Sequence, residues 1–269
     1  MANVDKDLEA DGKAGADGVQ AVVLTLRILE QVAATRGSVG VTELASALDT
    51  TKSRIFRHLR TLVGQGYLSQ SPPSDRYRAG PRLMTLGRMV GENTDLATVA
   101  LRPMRELRDR LGHSCVLSTP EPDGVRIALT LSGHLQIEIG VRQGSTLGYH
   151  NSAQGKCAAA YLDQARREAI LAGPLPASTP ETITDPGVLR RHFAEIRAQG
   201  WATGANQAAI GLNALAAPIL DGAGTLVGVL AAVNLVQFIP DRPAEAEWRA
   251  VTQAAREISV ALGWSPEPD

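Results

Sequence analysis

Cysteine is almost absent from this chain of 269 residues. Cys115 and Cys157 stand far apart and outside any C-x-x-C spacing. That argues against a disulfide framework or a cysteine-bound zinc and fits a reducing cytoplasm. Aromatic residues reach only 4%, while hydrophobic residues as a whole reach 44%, so the cores must be built mainly from Leu, Val, Ile and Ala. No charge of one sign dominates: the formal net charge is −1, and any affinity for nucleic acid must come from a local patch. Long apolar runs are missing too. The best candidate, residues 226–233, is strand-length, well short of the ~18 residues that suggest a membrane span. Residues 1–18 carry Asp5, Asp7, Glu9, Asp11 and Asp17 and no apolar segment of the kind a secretory signal needs, and they read as a disordered arm. His113, His134 and His192 lack metal-ligand spacing, and Gly222-Ala223-Gly224 is a turn without the lysine of a phosphate loop, so no metal or cofactor is expected.

What is present divides into two halves. From Gln20, Val22, Val23, Leu26, Leu29 and Val32 recur at helical spacing up to Gly37. A short helix over 41–48 turns Leu44, Ala45 and Leu48 inward. A tight connection with capping residues follows, then a third helix over 52–64. Two short strands, 67–70 and 77–78, flank a Pro/Ser/Asp turn. Three helices and a small hairpin make a winged helix-turn-helix layout. Pro81 opens a further helix, interrupted near 91–96 and resuming to Gly112. The second half mixes strands and helices. Val125, Ile127, Leu129 and Leu131 alternate with polar or small residues, and the alternation resumes at Leu135, Ile137 and Ile139, which predicts a hairpin. Helices are expected at 151–162 and 165–171, after Asp185-Pro186, and over 245–262. Strands are expected at 201–204, 213–220 and 225–233. The class is α+β with one central antiparallel sheet.

The third helix, within "TTKSRIFRHLRTL", carries the strongest chemical signal. On a helical wheel Ile55, Phe56, Leu59, Leu62 and Val63 share an arc of about 120°. Ser53, Arg54, Arg57, Arg60 and Thr61 lie opposite, with Lys52 and His58 near the borders. From Lys52 to Arg82 there are seven basic residues against one acidic, Asp75. A solvated charged face is the ordinary reading of an amphipathic helix. The one-sided charge, and a position just after a short helix and a tight turn, favour a recognition helix for double-stranded DNA. Arg54 and Arg57 suit guanine edges, and Lys52 and Ser53 suit phosphates or base edges. Thr42, Thr51, His58 and Thr61 complete the candidate contacts on the helices, and Arg76 and Arg78 extend them into the wing.

These stretches resemble the IclR family of bacterial transcriptional regulators. The resemblance rests on "VTELASALDTTKSRIFRHLRTLVGQGYL", "RYRAGPRLMTLG", "HNSAQGKCAAAYL" and "GLNALAAPILDGAGTLVGVLAAV", which occur in family order across nearly the whole chain. It implies a winged helix-turn-helix over 19–80, a linker helix over 81–95 and a GAF/PAS-like effector-binding domain over 96–264. It further implies homodimers or dimers of dimers, operator DNA as partner, and a small organic acid or aromatic metabolite as effector; repression is the commoner mode. The family pocket maps onto His150, Ser152, Ala153, Gln154 and Gly155, then Gly204, Asn206, Leu212 and Ala214, and finally Ala231 and Val233. Ala231 and Val233 stand where some members carry serines, so the pocket is expected to be less polar and to take a larger, partly apolar effector.

The rival reading is a hydrolase-like metabolic enzyme on the second half, pairing His150 with Ser152 or Cys157 as base and nucleophile. Sequence proximity supplies no third orienting group. The plainer reading has His150 and Ser152 capping or lining a pocket and Cys157 packed as a small apolar residue. Lys156 fits either a ligand-binding cation or a solvent-facing residue of a first helical turn. Trp201, Trp248 and Trp264 read as core or interface residues.

Overall fold

The computed structural model describes residues 19–35, 37–72, 74–93, 95–134 and 139–265, which fall into two compact units divided after Asn93. The proposed arm over 1–18 and Leu135 and Ile137 of the expected second hairpin strand lie outside the described residues.

The first unit contains α1 (Gln20–Ala34), α2 (Val41–Ala47), α3 (Lys52–Gly64), β1 (Leu68–Ser71), β2 (Arg76–Ala79) and α4 (Pro81–Asn93). Leu24, Ile28 and Val32 of α1 recur every four residues and meet Leu44 of α2 and Ile55, Leu59 and Leu62 of α3 in one core. Asp49 adopts φ +46 in the turn before α3, and Thr51 caps that helix by accepting the Arg54 N–H at 3.4 Å. The β1–β2 hairpin is antiparallel, and a bridge from Val39 to Tyr77 ties the α1–α2 connection to it. This is the winged helix-turn-helix, with one departure from the wheel. Phe56 is 52% exposed, whereas Ile55 and Leu59 are fully buried. The core centres on Ile55, Leu59 and Leu62, which places Phe56 past its edge.

The second unit runs α5 (Leu96–Leu111), β3 (Ser114–Glu121), β4 (Gly124–Leu131), β5 (Thr146–Leu147), α6 (Ala153–Tyr161), α7 (Gln164–Ala172), α8 (Pro186–Gln199), β6 (Ala202–Thr203), β7 (Leu212–Leu220), β8 (Leu226–Leu235) and α9 (Glu245–Ala261). Its six-stranded sheet has the order β5-β4-β3-β8-β7-β6, with every pairing antiparallel. The pleat sends alternate residues to opposite faces. Val116, Val229, Ala231 and Val233 face α6 and α8, and Cys115, Leu117, Leu230 and Ala232 face α5 and α9. A helix–sheet–helix sandwich with two cores results. The hairpin partner of β4 is β3, joined through Glu121-Pro122-Asp123-Gly124, and the other neighbour of β4 is the two-residue β5. Trp201 and Trp248 stack in the α9-side core with centroids 6.3 Å apart.

Candidate functional site

The outward face of α3 presents Lys52, Ser53, Arg54, Arg57, Arg60 and Thr61, all exposed. Among the described residues none of these four cations is paired with a carboxylate. The face is a set of free donors on a helix whose opposite face is anchored in the core. Thr51 is also exposed at the cap, Thr42 is exposed in the first turn of α2, and Arg78 is exposed on the wing.

Two other candidates are occupied by the unit itself. His58 is half-buried, and its Nδ1 lies 2.7 Å from Thr25 Oγ1 of α1. Burial, with help from Arg54 and Arg57, lowers its pKa and keeps the ring neutral near pH 7. Arg76 is the second. Its Nη1 and Nη2 donate to the two Glu43 carboxylate oxygens at 2.9 Å each, its Nε donates to Ser38 Oγ at 3.2 Å, and Nη2 also donates to the Ser38 carbonyl at 2.7 Å. The guanidinium is a fork that clamps the wing to α2. Glu43 also accepts the Gly40 N–H at 3.1 Å, and both partners hold its carboxyl below the ordinary range. Counting charge along the sequence misses this neutralisation, because Glu43 precedes the basic stretch and reaches it only in space. Arg82 lies over the Tyr67 ring, 5.1 Å from its centroid.

In the second unit the candidates gather at the amino end of α6. Ser152 caps the helix: its Oγ accepts the Gly155 N–H at 2.9 Å and donates to the Gly148 carbonyl at 3.1 Å. Gly155 allows that loop to close, since a Cβ there would stand 1.9 Å from the Gly148 carbonyl oxygen. Gly204 passes the same helix end, where a Cβ would stand 2.9 Å from Ala153 N. Ala214 is paired with Val233 across β7 and β8, and with Ala231 and Ala153 they form one apolar floor. Gln154 is 2% exposed, with its Nε2 buried and without a hydrogen-bond partner among the described residues. Leu212 accepts the Asn206 N–H through its carbonyl. Two candidates are tied elsewhere. His150 Nε2 donates to the Pro176 carbonyl at 2.8 Å, and Asn206 Oδ1 accepts the Gly211 N–H at 2.7 Å. A groove of about 740 Å³ lies at the other end of α6, between Tyr161, Arg190 and Arg197, and shares no lining residue with this set.

The enzyme pairing does not form. His150 and Ser152 are committed to carbonyls, and burial pushes the Cys157 thiol far above its ordinary range, which leaves it inert. Of the two readings of Lys156, burial overturns the solvent-facing one. Lys156 is 2% exposed, its ammonium has no hydrogen bond or ion pair among the described residues, and burial lowers its pKa to about 8 against the opposing pull of Asp241. No group of three His, Cys, Asp or Glu among the described residues could hold a metal, and no described helix is long and apolar enough to cross a membrane.

Comparison with known proteins matches the two units in turn. The family model described as the IclR helix-turn-helix domain covers residues 21–72, and that of the bacterial transcriptional regulator IclR C-terminal covers residues 89–260. The HTH-type transcriptional regulator KdgR of Escherichia coli is 28% identical over the full length of both chains. The HTH-type transcriptional repressor AllR of Klebsiella pneumoniae is 28% identical over 94% of this chain and 93% of its own. Pseudomonas aeruginosa HmgR shares the fold at TM-score 0.72 and 24% identity, over 92% of this chain and 99% of its own. An IclR homologue from Microbacterium hydrocarbonoxydans, solved with 4-hydroxybenzoate, aligns at TM-score 0.57 and 26% identity, over 90% of this chain and 98% of its own.

Proposed function

The chain belongs to the IclR family of bacterial transcriptional regulators, and from that premise we propose that it represses transcription by reading an operator with α3 while a small molecule held at the amino end of α6 controls occupancy. The observation that carries the proposal is the outward face of α3, with four cations that no carboxylate of the described residues neutralises. Arg54 and Arg57 supply planar donors for guanine edges in the major groove. Lys52, Ser53 and Thr51 at the helix start, Thr42 at the start of α2, Thr61 and the wing's Arg78 hold phosphates and fix register. His58 and Arg76 act one step back: the first ties α3 to α1, the second holds the wing.

The effector class is an organic acid or aromatic compound. The floor of Ala214, Ala231 and Val233 offers apolar contact, and the α6 amino end with the unpartnered Gln154 amide offers donors to a carboxylate or carbonyl. A ligand that binds the DNA-competent and incompetent states unequally shifts operator occupancy by that difference in affinity. The assembly is a homodimer or a dimer of dimers. Support comes from apolar side chains that the first unit leaves exposed: Val22, Val23 and Leu26 on α1, and Met84 and Leu86 on α4. The protein acts in the cytoplasm as a regulator and has no catalytic role. The test is binding of the full-length protein to DNA upstream of its own gene across a salt series. Each neutralised phosphate adds about −0.9 to the log–log slope, so a steep negative slope is expected, and a slope near zero would sink the proposal.

A further inference from the structure

Phe56 is the large apolar side chain that α3 leaves outside the core. It is 52% exposed, beside Ile55 and Leu59 at 0%. At 100° per residue it lies about 160° around the helix from His58, whose ring turns toward α1. Phe56 therefore does not continue the exposed apolar stripe on α1. Its neighbours one turn before and after are Lys52 and Arg60, and Arg57 follows it directly; all three are exposed, and none has an acidic partner among the described residues. A second copy of the chain meeting the ring with the same face would bring like cations and no counter-charge, so these three would leave water unpaired, an expensive burial. DNA meets both demands, because phosphates line the groove and the groove floor carries one apolar group, the C5 methyl of thymine.

We propose that Phe56 is a specificity-determining residue that contacts a thymine methyl in the major groove. The assignment rests on the operator-reading role of α3 proposed above, and it adds a readout that the arginines lack. Arg54 and Arg57 address guanine through hydrogen bonds, whereas Phe56 selects an A·T pair through apolar contact alone. The ring has two side-chain torsions, so holding it against a methyl costs little conformational entropy compared with ordering a lysine.

The experiment uses the full-length protein and an operator selected by it from a random duplex library. Each thymine of that operator is replaced singly by deoxyuridine, which removes only the methyl. One position per half-site is expected to lose about fourfold in wild-type affinity, the worth of one buried methyl-sized group. Phe56→Ala is expected to bind the thymine and uracil duplexes alike at that position, while Phe56→Leu retains part of the preference. Discrimination that survives unchanged in Phe56→Ala, or its absence at every position of the wild type, overturns the assignment and leaves operator binding standing. Equal losses on both duplexes, together with a smaller oligomer on sedimentation of Phe56→Ala, also overturn it and place the ring between copies of the chain. Failure of the wild type to select any sequence would strike the reading of α3 itself, and this assignment with it.

Discussion

Helices α3 and α6 are both short and both capped by a hydroxyl, yet they dispose of their side chains in opposite ways. Of the thirteen residues of α3 three are buried, and the rest of its surface is largely cationic and open. Of the nine residues of α6 eight are buried, among them Gln154 and Lys156. A helix that works through outward side chains can keep charges in water, where they are inexpensive, and spend only one stripe on anchoring. A helix that works through its backbone N–H groups must let other chain segments approach it. Small residues at Ala153, Gly155 and Gly204 serve that purpose, and the polar groups enclosed with them are desolvated.

The largest effects should separate the two faces of α3. Leu59 is fully buried among Ile28, Leu44 and Ile55, so Leu59→Ala should destabilise the first unit by about 2–5 kcal/mol, read by calorimetry. Arg57→Ala should leave that transition within about 0.5 kcal/mol of wild type. It should instead weaken operator binding by about 1–3 kcal/mol, roughly 5- to 150-fold. If both substitutions moved stability and binding together, the division of α3 into an anchoring and a reading face would fail.

The next effect belongs to α6. Lys156 has its pKa lowered from 10.5 to about 8 by burial, with Asp241 opposing that shift and His192 the other titratable group facing it. Between pH 8 and 10.5 the unfolded chain holds a proton on this lysine that the folded chain does not. Stability from this group therefore rises with pH through that window, and below pH 8 its full penalty applies. Lys156→Met should be more stable than wild type at pH 7 by up to roughly 3 kcal/mol, with the gap closing toward pH 10 in urea titrations. A gap independent of pH would show that the ammonium is compensated in solution and that α6 encloses no unpaired charge.

Legibility followed the same division. The helical spacing of the first unit, the alternation along β4, the Asp185-Pro186 start of α8 and the Glu245–Ala261 helix could be read from the sequence because the signal is local. So could the outward set on α3, apart from Phe56 at its margin. Strand β3 escaped because Ser114–Glu121 is enclosed on both faces over its first half and shows little alternation, although the Pro122-Asp123-Gly124 turn before β4 was a usable sign. The enclosure of Lys156 escaped because nothing within one turn of it predicts α8 and the Asp241 loop closing over it. The commitment of Arg76 escaped because Glu43 and Ser38 lie more than thirty residues upstream.

The smallest expected effect tests that last point with two arginines of one strand. Arg76 and Arg78 lie on the same side of β2, opposite the buried Tyr77. By sequence alone they are equivalent wing cations. In the structure Arg76 donates to Glu43 and Ser38, and Arg78 is exposed without a carboxylate partner among the described residues. A cation already neutralised releases no counterion from DNA, whereas a free one does. Arg78→Ala should therefore reduce the magnitude of the log–log salt slope by about one, and Arg76→Ala should leave the slope unchanged. Fluorescence anisotropy at four or more salt concentrations gives both slopes. Arg76→Ala should still lower affinity at every salt, because the wing loses its tether to α2, and that loss should be reproduced by Glu43→Gln. A reduced slope for Arg76→Ala would mean that the guanidinium leaves Glu43 for a phosphate on binding, which would make the clamp a feature of the free protein alone.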